Sequence, residues 1–184
     1  MTAGRVIFSW FGMDRPPSGP DHPQPAHPQP PRPQPADLHL TQADGDVETY
    51  LAAYRAVGGP HGWSRRLTLT RDALQAILDR PGRRVLIARD AAGTVLGFVE
   101  LDLAHGTPAA PAAEIVHFGL APAAQGRGWG GFLLDHALRT AFDAGAARVV
   151  LHTDTTDHPR ASGAYLKAGF RLLRVTTAEP DDWN

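Results

Sequence analysis

Apolar positions along the chain recur at two spacings, about 2 and about 3.6 residues, which divide it into strand-like and helix-like stretches. RVIFSWFGM (5–13) reads as a short strand and LHLTQ (38–42) as another. In 44–57 Val47, Leu51, Tyr54 and Val57 fall at helical spacing, and GGPHGW (58–63) breaks the pattern. A second helix is expected over 70–79, with Thr70 as its cap, Asp72 near its positive end, and Pro81 and Gly82 beyond its stop. RRVLIARD and GTVLGFVELDLA read as strands joined through the turn DAAG, and AHGTPAAPA leads to the strand AEIVHFGLA. The clearest helix covers 130–144, where Phe132, Leu133, Leu134, Ala137, Leu138, Ala141 and Phe142 form a broad apolar face that Gly145 ends. RVVLHTDT, ASGAYLKAG and FRLLRVTTA follow as strand, short helix and strand. Apparent hairpins followed by a helical crossover make this a single α/β domain with a mixed sheet.

Residues 14–37 interrupt the periodic pattern with ten prolines. Proline removes a donor and fixes φ, so an extended, polyproline-like path is expected there. It reads either as an excursion over the surface of one domain or as a plain linker. The organisation is therefore an N-terminal strand segment over 1–13, an extended segment over 14–37, and the main domain over 38–184.

Composition narrows the function. The chain has 184 residues, 18 basic and 19 acidic, for a net charge of -1. This balance points to neither nucleic acid nor an anionic membrane surface as partner. No cysteine is present, which excludes a disulfide framework, a thiolate metal site and a cysteine nucleophile. The start lacks the long apolar region of a good signal peptide, and no run reaches the length of a membrane span. A cytoplasmic location is the expectation.

The strongest chemical signal is QGRGWGG (125–131), with four glycines in seven positions directly between a strand and the long helix. Backbone N–H groups of such a turn, together with the helix N-terminus, can surround phosphate oxygens. Arg127 lies within it. GxxxxGK[ST] is absent, so a nucleotide-hydrolysing loop is not indicated. GRGWGG (126–131) has the GxGxxG spacing, but it sits late in a hairpin-bearing sheet rather than at the first turn of a βαβ unit, so a dinucleotide fingerprint is not indicated either. A tight connection packed against a neighbouring element is the plain structural alternative.

EIVHFGLAPAAQGRGWGGFLLDHAL resembles the central motif of the GCN5-related N-acetyltransferase superfamily, a Gln or Arg, two residues, Gly, one residue, then Gly or Ala. Gln125, Gly128 and Gly130 fit it, and RVVLHTDT followed by AYLKAGF resembles the close of the same domain. The resemblance covers roughly 38–178, making 38–184 an acetyltransferase domain. It implies a mostly antiparallel mixed sheet flanked by helices, with a splayed central strand pair. It also implies acetyl-CoA as co-substrate, its pyrophosphate held around Gln125, Gly126, Arg127, Gly128, Trp129, Gly130 and Gly131. The pantetheine arm is then expected along HFGLAP, with an amide among Phe118, Gly119 and Leu120 facing the oxyanion. In the bacterial branch that GGPHGW and FVELDL resemble, a cysteine commonly follows His-Thr; Asp154 stands there, which puts a role for that position in doubt.

Transfer of acetyl to an amine needs a proton acceptor and a proton donor. Glu114 is the preferred base, by analogy with the histone-acetylating branch, against a surface ion pair as the plain reading. Glu100 and His117 are alternatives, as base or as anchor for the substrate's ammonium. Strand alternation separates Glu114 from the face of His117 unless a bulge intervenes. Tyr165 matches the family's proton donor to the departing thiolate. His61 and Trp63 are expected to line the acceptor pocket or to form a mobile rim. His152, Asp154, Asp157 and His158 lack a tight ligand spacing, and no metal is expected. The reading is an acetyl-CoA-dependent N-acetyltransferase acting by direct attack in a ternary complex on a small-molecule or protein amine, with homodimerisation open. A noncatalytic acyl-CoA sensor and a polyproline-mediated interaction protein are the alternatives.

Overall fold

The computed structural model describes residues 6–14 and 32–178. Its strands are β1 (Val6–Asp14), β2 (His39–Gln42), β3 (Arg83–Arg89), β4 (Val95–Asp102), β5 (Ala112–Leu120), β6 (Arg148–Asp154) and β7 (Arg171–Ala178). Its helices are α1 (Val47–Gly58), α2 (Arg71–Leu78), α3 (Trp129–Asp143) and α4 (Ala161–Ala168). The strands form one sheet in the order β2-β3-β4-β5-β6-β1-β7. Neighbours run antiparallel except β5 and β6, which are parallel and joined by the crossover helix α3.

Local chemistry sets the helix ends. α1 begins at Val47 rather than 44 because Asp46 caps it, accepting a hydrogen bond of 3.0 Å from the Thr49 N–H. Its buried stripe is Val47, Tyr50, Tyr54 and Val57; Tyr50, not Leu51, takes the fully buried position. Both choices fit helical spacing, and the sheet selects Tyr50 because a polar partner waits for its hydroxyl. α2 is capped by Thr70, which accepts from the Ala73 N–H at 3.2 Å. All seven apolar residues expected on α3 are buried.

Two cores flank the sheet. On one face α1 and α2 cover Val85, Ile87 and Phe98. On the other, α3 packs with Tyr165 of α4 against Val99, Leu101, Ile115 and Leu151. Successive residues of β4 alternate between these cores, so Phe98 faces one and Val99 the other.

That alternation is broken in β5. Leu101 pairs with Ile115 and Glu100 with His117, so Val116 is an extra residue on β5. Glu114, opposite Asp102, and His117, opposite Glu100, therefore occupy the same face, the one covered by α1. This corrects the strict alternation expected from sequence, and the bulge is its cause.

β1 lies between β6 and β7 and pairs with both. Phe11 and Met13 enter the core beside α3 and α4, while Phe8 and Trp10 meet His152. Most of the proline-rich segment, 15–31, lies outside the described residues. Where the description resumes, Leu38 is fully buried against the α3 core.

Leu133 has no exposed surface and sits centrally in α3. Leu133→Ala is expected to cost about 2–5 kcal/mol of stability, measured by urea unfolding, with the m-value unchanged.

Candidate active site

The site begins where the parallel pair ends. β5 and β6 pair from Ala112 opposite Arg148 to Ile115 opposite Leu151 and no further. Beyond that point β5 continues with β4 alone, to Leu120 opposite Gly97, and β6 continues with β1. Two cavities, of about 330 and 300 Å³, open along this split. The first is lined by Val116, His117, His152 and Asp154. The second runs past Gly119 and Leu120 to Gln125, Gly126, Gly128, Gly130 and Gly131. His61, Trp63, Phe118, Asp157 and Tyr165 line both, so the cavities meet at these residues.

The glycine turn is shaped for an anion. Gly126 and Gly128 have φ of 77° and 78°, a left-handed conformation that side chains disfavour, and nothing lies within 4 Å of where a Cβ would stand. Gly128 is the N-cap of α3 and supplies no side-chain cap, and the first turn holds no acid. The N–H groups that open a helix lack partners within it, and the helix end carries partial positive charge. The Gln125 side chain donates to the Leu120 carbonyl at 3.3 Å, tying the turn to the end of β5. The Arg127 guanidinium stands 4.9 Å over the Trp129 ring, and the Arg32 guanidinium reaches Gly131.

At the other cavity a buried carboxylate organises the wall. Glu100 has no exposed surface. Tyr50 Oη donates to Oε2 at 2.6 Å, Arg66 Nη2 to Oε1 at 2.9 Å, and Arg83 Nη1 lies 3.0 Å from Oε1. His117 Nδ1 is 2.7 Å from Oε2. Burial pushes this carboxyl up, but the hydrogen bonds of His117 and Tyr50 and the charge of Arg66 outweigh it and hold the pKa at about 2. An ionised carboxylate only accepts, so Nδ1 of His117 carries the proton and donates. Burial pushes the His117 imidazole below its ordinary value despite Glu100, which leaves it neutral at pH 7. Nε2 then retains its lone pair.

Glu114 is half-buried at the far end of this wall and does not line either cavity. His105 Nδ1 stands 3.2 Å from its Oε2 and His152 Nδ1 3.7 Å from its Oε1. Burial would raise its carboxyl; the neighbouring His152 and His105 more than offset this and lower it. Tyr165 is buried at the junction, and burial followed by the Asp157 charge raises its phenol, keeping it protonated. Trp63 Nε1 donates to Asp157 Oδ1 at 3.1 Å, and Asp157 Oδ2 accepts from Thr153 Oγ1 at 2.7 Å. Among the described residues no group of three or more His, Asp or Glu side chains is arranged to hold a metal, and no helix is long and apolar enough to cross a membrane.

The structure thus brings His61, Trp63, Phe118 and Tyr165 to the junction with the glycine turn's cavity, sets His117 in the wall of the first cavity with the buried Glu100 behind it, and leaves Glu114 outside both. Tyr50, Arg66 and Arg83 are participants that sequence reading did not single out, and Asp157 entered it only among side chains without metal-ligand spacing. Tyr50 carried a signal, lying four residues before Tyr54 on one helix face. The two arginines carried none, because their partner is remote in sequence.

A model of the acetyltransferase (GNAT) family matches residues 46–170. No curated protein matches the chain. Among solved structures, an aminoglycoside acetyltransferase, meta-AAC0020, from an uncultured soil metagenomic sample superposes with a TM-score of 0.60 at 18% identity, over 72% of this chain and 87% of that one. Another, HMB0005, also from an uncultured soil metagenomic sample, gives 0.63 at 17% identity over 78% and 97%. A GCN5-related N-acetyltransferase from Sphaerobacter thermophilus gives 0.58 at 19% over 94% of this chain and half, 50%, of its own. At these identities the superpositions establish the fold, and the family match covers more than half of the sequence. The chain belongs to the acetyltransferase (GNAT) family.

Proposed function

We propose that the protein transfers the acetyl group of acetyl-CoA to a primary amine by direct attack within a ternary complex. The observation that carries this reading is the meeting of two cavities at Tyr165, one leading to an uncapped glycine turn and the other to His117. The turn suits the donor's pyrophosphate, and the unpaired stretch of β5 suits its pantetheine arm. A donor and an acceptor in separate cavities react without a covalent enzyme intermediate, and the chain has no cysteine to form one.

The donor supplies the acetyl group as a thioester. The amine nitrogen bonds to the carbonyl carbon, the carbon–sulfur bond breaks, and the amine must lose a proton while the thiolate gains one. His117 takes the amine proton at Nε2, and Glu100 is the positioning residue that fixes its tautomer and stabilises the imidazolium formed. Two guanidiniums hold Glu100 ionised, so Glu100 itself makes a poor proton acceptor. Tyr165 gives its phenolic proton to the thiolate. Glu114, which lines neither cavity and is engaged by His105 and His152, is not assigned the base role. The acceptor class is an amine that fits the cavity beside His117; aminoglycosides belong in the test panel because two structural neighbours were solved as aminoglycoside acetyltransferases.

Calorimetry with acetyl-CoA is the first test. Gly130 lines the donor cavity and has no positive φ, so Gly130→Phe fills the cavity without asking the backbone for a left-handed conformation. The expected result is binding by the parent chain that disappears in a folded Gly130→Phe variant; equal binding by both sinks the assignment of the donor.

With an acceptor found from an amine panel, His117→Gln is expected to lower kcat by roughly 10²–10⁴-fold. Protonated His117 cannot accept a proton, so activity falls as pH drops through its lowered pKa, below the ordinary 6.5. That acid limb should vanish from the pH profile of the variant. Tyr165→Phe should lower kcat by about 10²-fold with little change in the affinity for acetyl-CoA.

Glu100→Gln removes the charge between the buried Arg83 and the half-buried Arg66. It is expected to cost about 3–5 kcal/mol in chemical unfolding and to lower kcat as well. Because the folded carboxyl titrates near 2, below its unfolded value of about 4.3, its stabilisation is present at pH 5 and above in the parent. It is lost as pH falls toward 2, so the stability gap between parent and variant should narrow in acid.

A further inference from the structure

We infer that Trp63 is the wall that limits the size of the acyl group, confining the donor to short acyl chains. This rests on the proposed donor reading and adds a specificity-determining residue to it.

The argument starts from where the acyl group must be. A group passing from a donor in one cavity to an acceptor in the other has to lie where the two meet. Of the five residues that line both cavities, Trp63 carries the largest side chain. Its placement is fixed from several directions. A Cβ at Gly58 would fall 2.2 Å from the indole Cε3, so the ring lies directly on the bare backbone at the end of α1. The ring centroid is 5.5 Å from that of Tyr54 and 5.2 Å from that of His117. On its outer side the indole N–H is bound to Asp157, which Thr153 in turn holds. Thr153 is itself buried on β6.

Trp63 therefore spans the split from the α1 side to the loop after β6. Its ring lies beside His117 of β5, and its N–H is held through Asp157 by Thr153 of β6, so it bridges the two strands whose separation creates the site. A ring braced in this way cannot swing aside for a longer chain without losing the Asp157 bond and its seat on Gly58. Phe118 and Tyr165 close the junction from the α3 and α4 face. An acetyl group needs no room beyond the thioester carbon's own methyl, whereas a butyryl chain adds two methylenes that must displace the indole. GGPHGW is legible in this light: Gly58 seats the ring, and Gly62, with φ of 73°, turns the chain directly before it.

The experiment measures Kd for acetyl-CoA and butyryl-CoA by calorimetry, which needs no acceptor. The parent chain is expected to bind butyryl-CoA about 10-fold or more weakly than acetyl-CoA. In Trp63→Ala that ratio should collapse toward one, while Trp63→Phe, which keeps a ring on Gly58, should retain most of it. Asp157→Ala, which frees the indole N–H, should relax the ratio partway. Thermal unfolding confirms that each variant is folded, and Trp63→Leu serves where the alanine variant is not. Equal affinities in the parent, or a ratio that survives both Trp63→Ala and Trp63→Leu, overturn the size limit alone. Absence of acetyl-CoA binding by the parent overturns the donor reading, and this inference with it.

Discussion

Five separate parts of the chain converge on one carboxylate. Tyr50 comes from α1, Arg66 from the turn that follows it, Arg83 from β3, Glu100 from β4 and His117 from β5. A buried carboxylate is costly unless its charge is compensated and its lone pairs are filled, and here both conditions are met by residues that fold alone would not bring together. The requirement works in both directions. Glu100 is tolerable only if α1 and the 65–68 turn close over the sheet at one position, and the buried Arg83 in turn relies on the carboxylates of Glu100 and Asp102. The same cluster fixes which nitrogen of His117 carries a hydrogen. Structural and chemical demands are therefore met by one set of bonds.

The bulge at Val116 supplies the second constraint. Without the extra residue, Glu114 and His117 would alternate, and the imidazole would face the apolar core beneath α3 instead of Glu100. The bulge also lies next to Ile115, the last residue of β5 that pairs with β6. Local twist increases at a bulge, and twist directs neighbouring strands apart. One inserted residue thus coincides with both the turning of the imidazole toward Glu100 and the opening of the split between β5 and β6.

The elements were legible in the sequence because they are periodic. Seven strands, the Thr70 cap and the whole apolar face of α3 followed from spacing alone. The choice between Tyr50 and Leu51 did not, because neighbours on a helix fit the spacing almost equally and only the opposing sheet decides. The bulge was invisible for a related reason: it is a property of two strands in register, and neither strand records it. The glycine turn could be proposed as an anion site from sequence because its chemistry is local to seven residues. The Glu100 cluster was not, because its members are spread from 50 to 117 and each alone looks like an ordinary helix, turn or strand residue. Trp63 and His61 were noticed, whereas Asp157, which anchors Trp63 from a position 94 residues away, was set among unlikely metal ligands.

The position of β1 has a consequence for how the chain reaches this structure. β1 precedes every other described strand, yet its partners are β6 and β7; the Trp10 indole bonds to Thr176 across a separation of 166 residues. Its contacts are almost all distant in sequence, which raises contact order and slows the search for the native pairing. During synthesis the apolar run Val6–Met13 stays without its native partners until β6 and β7 have been made. The completed sheet therefore depends on the capture of an early strand between two that are made much later.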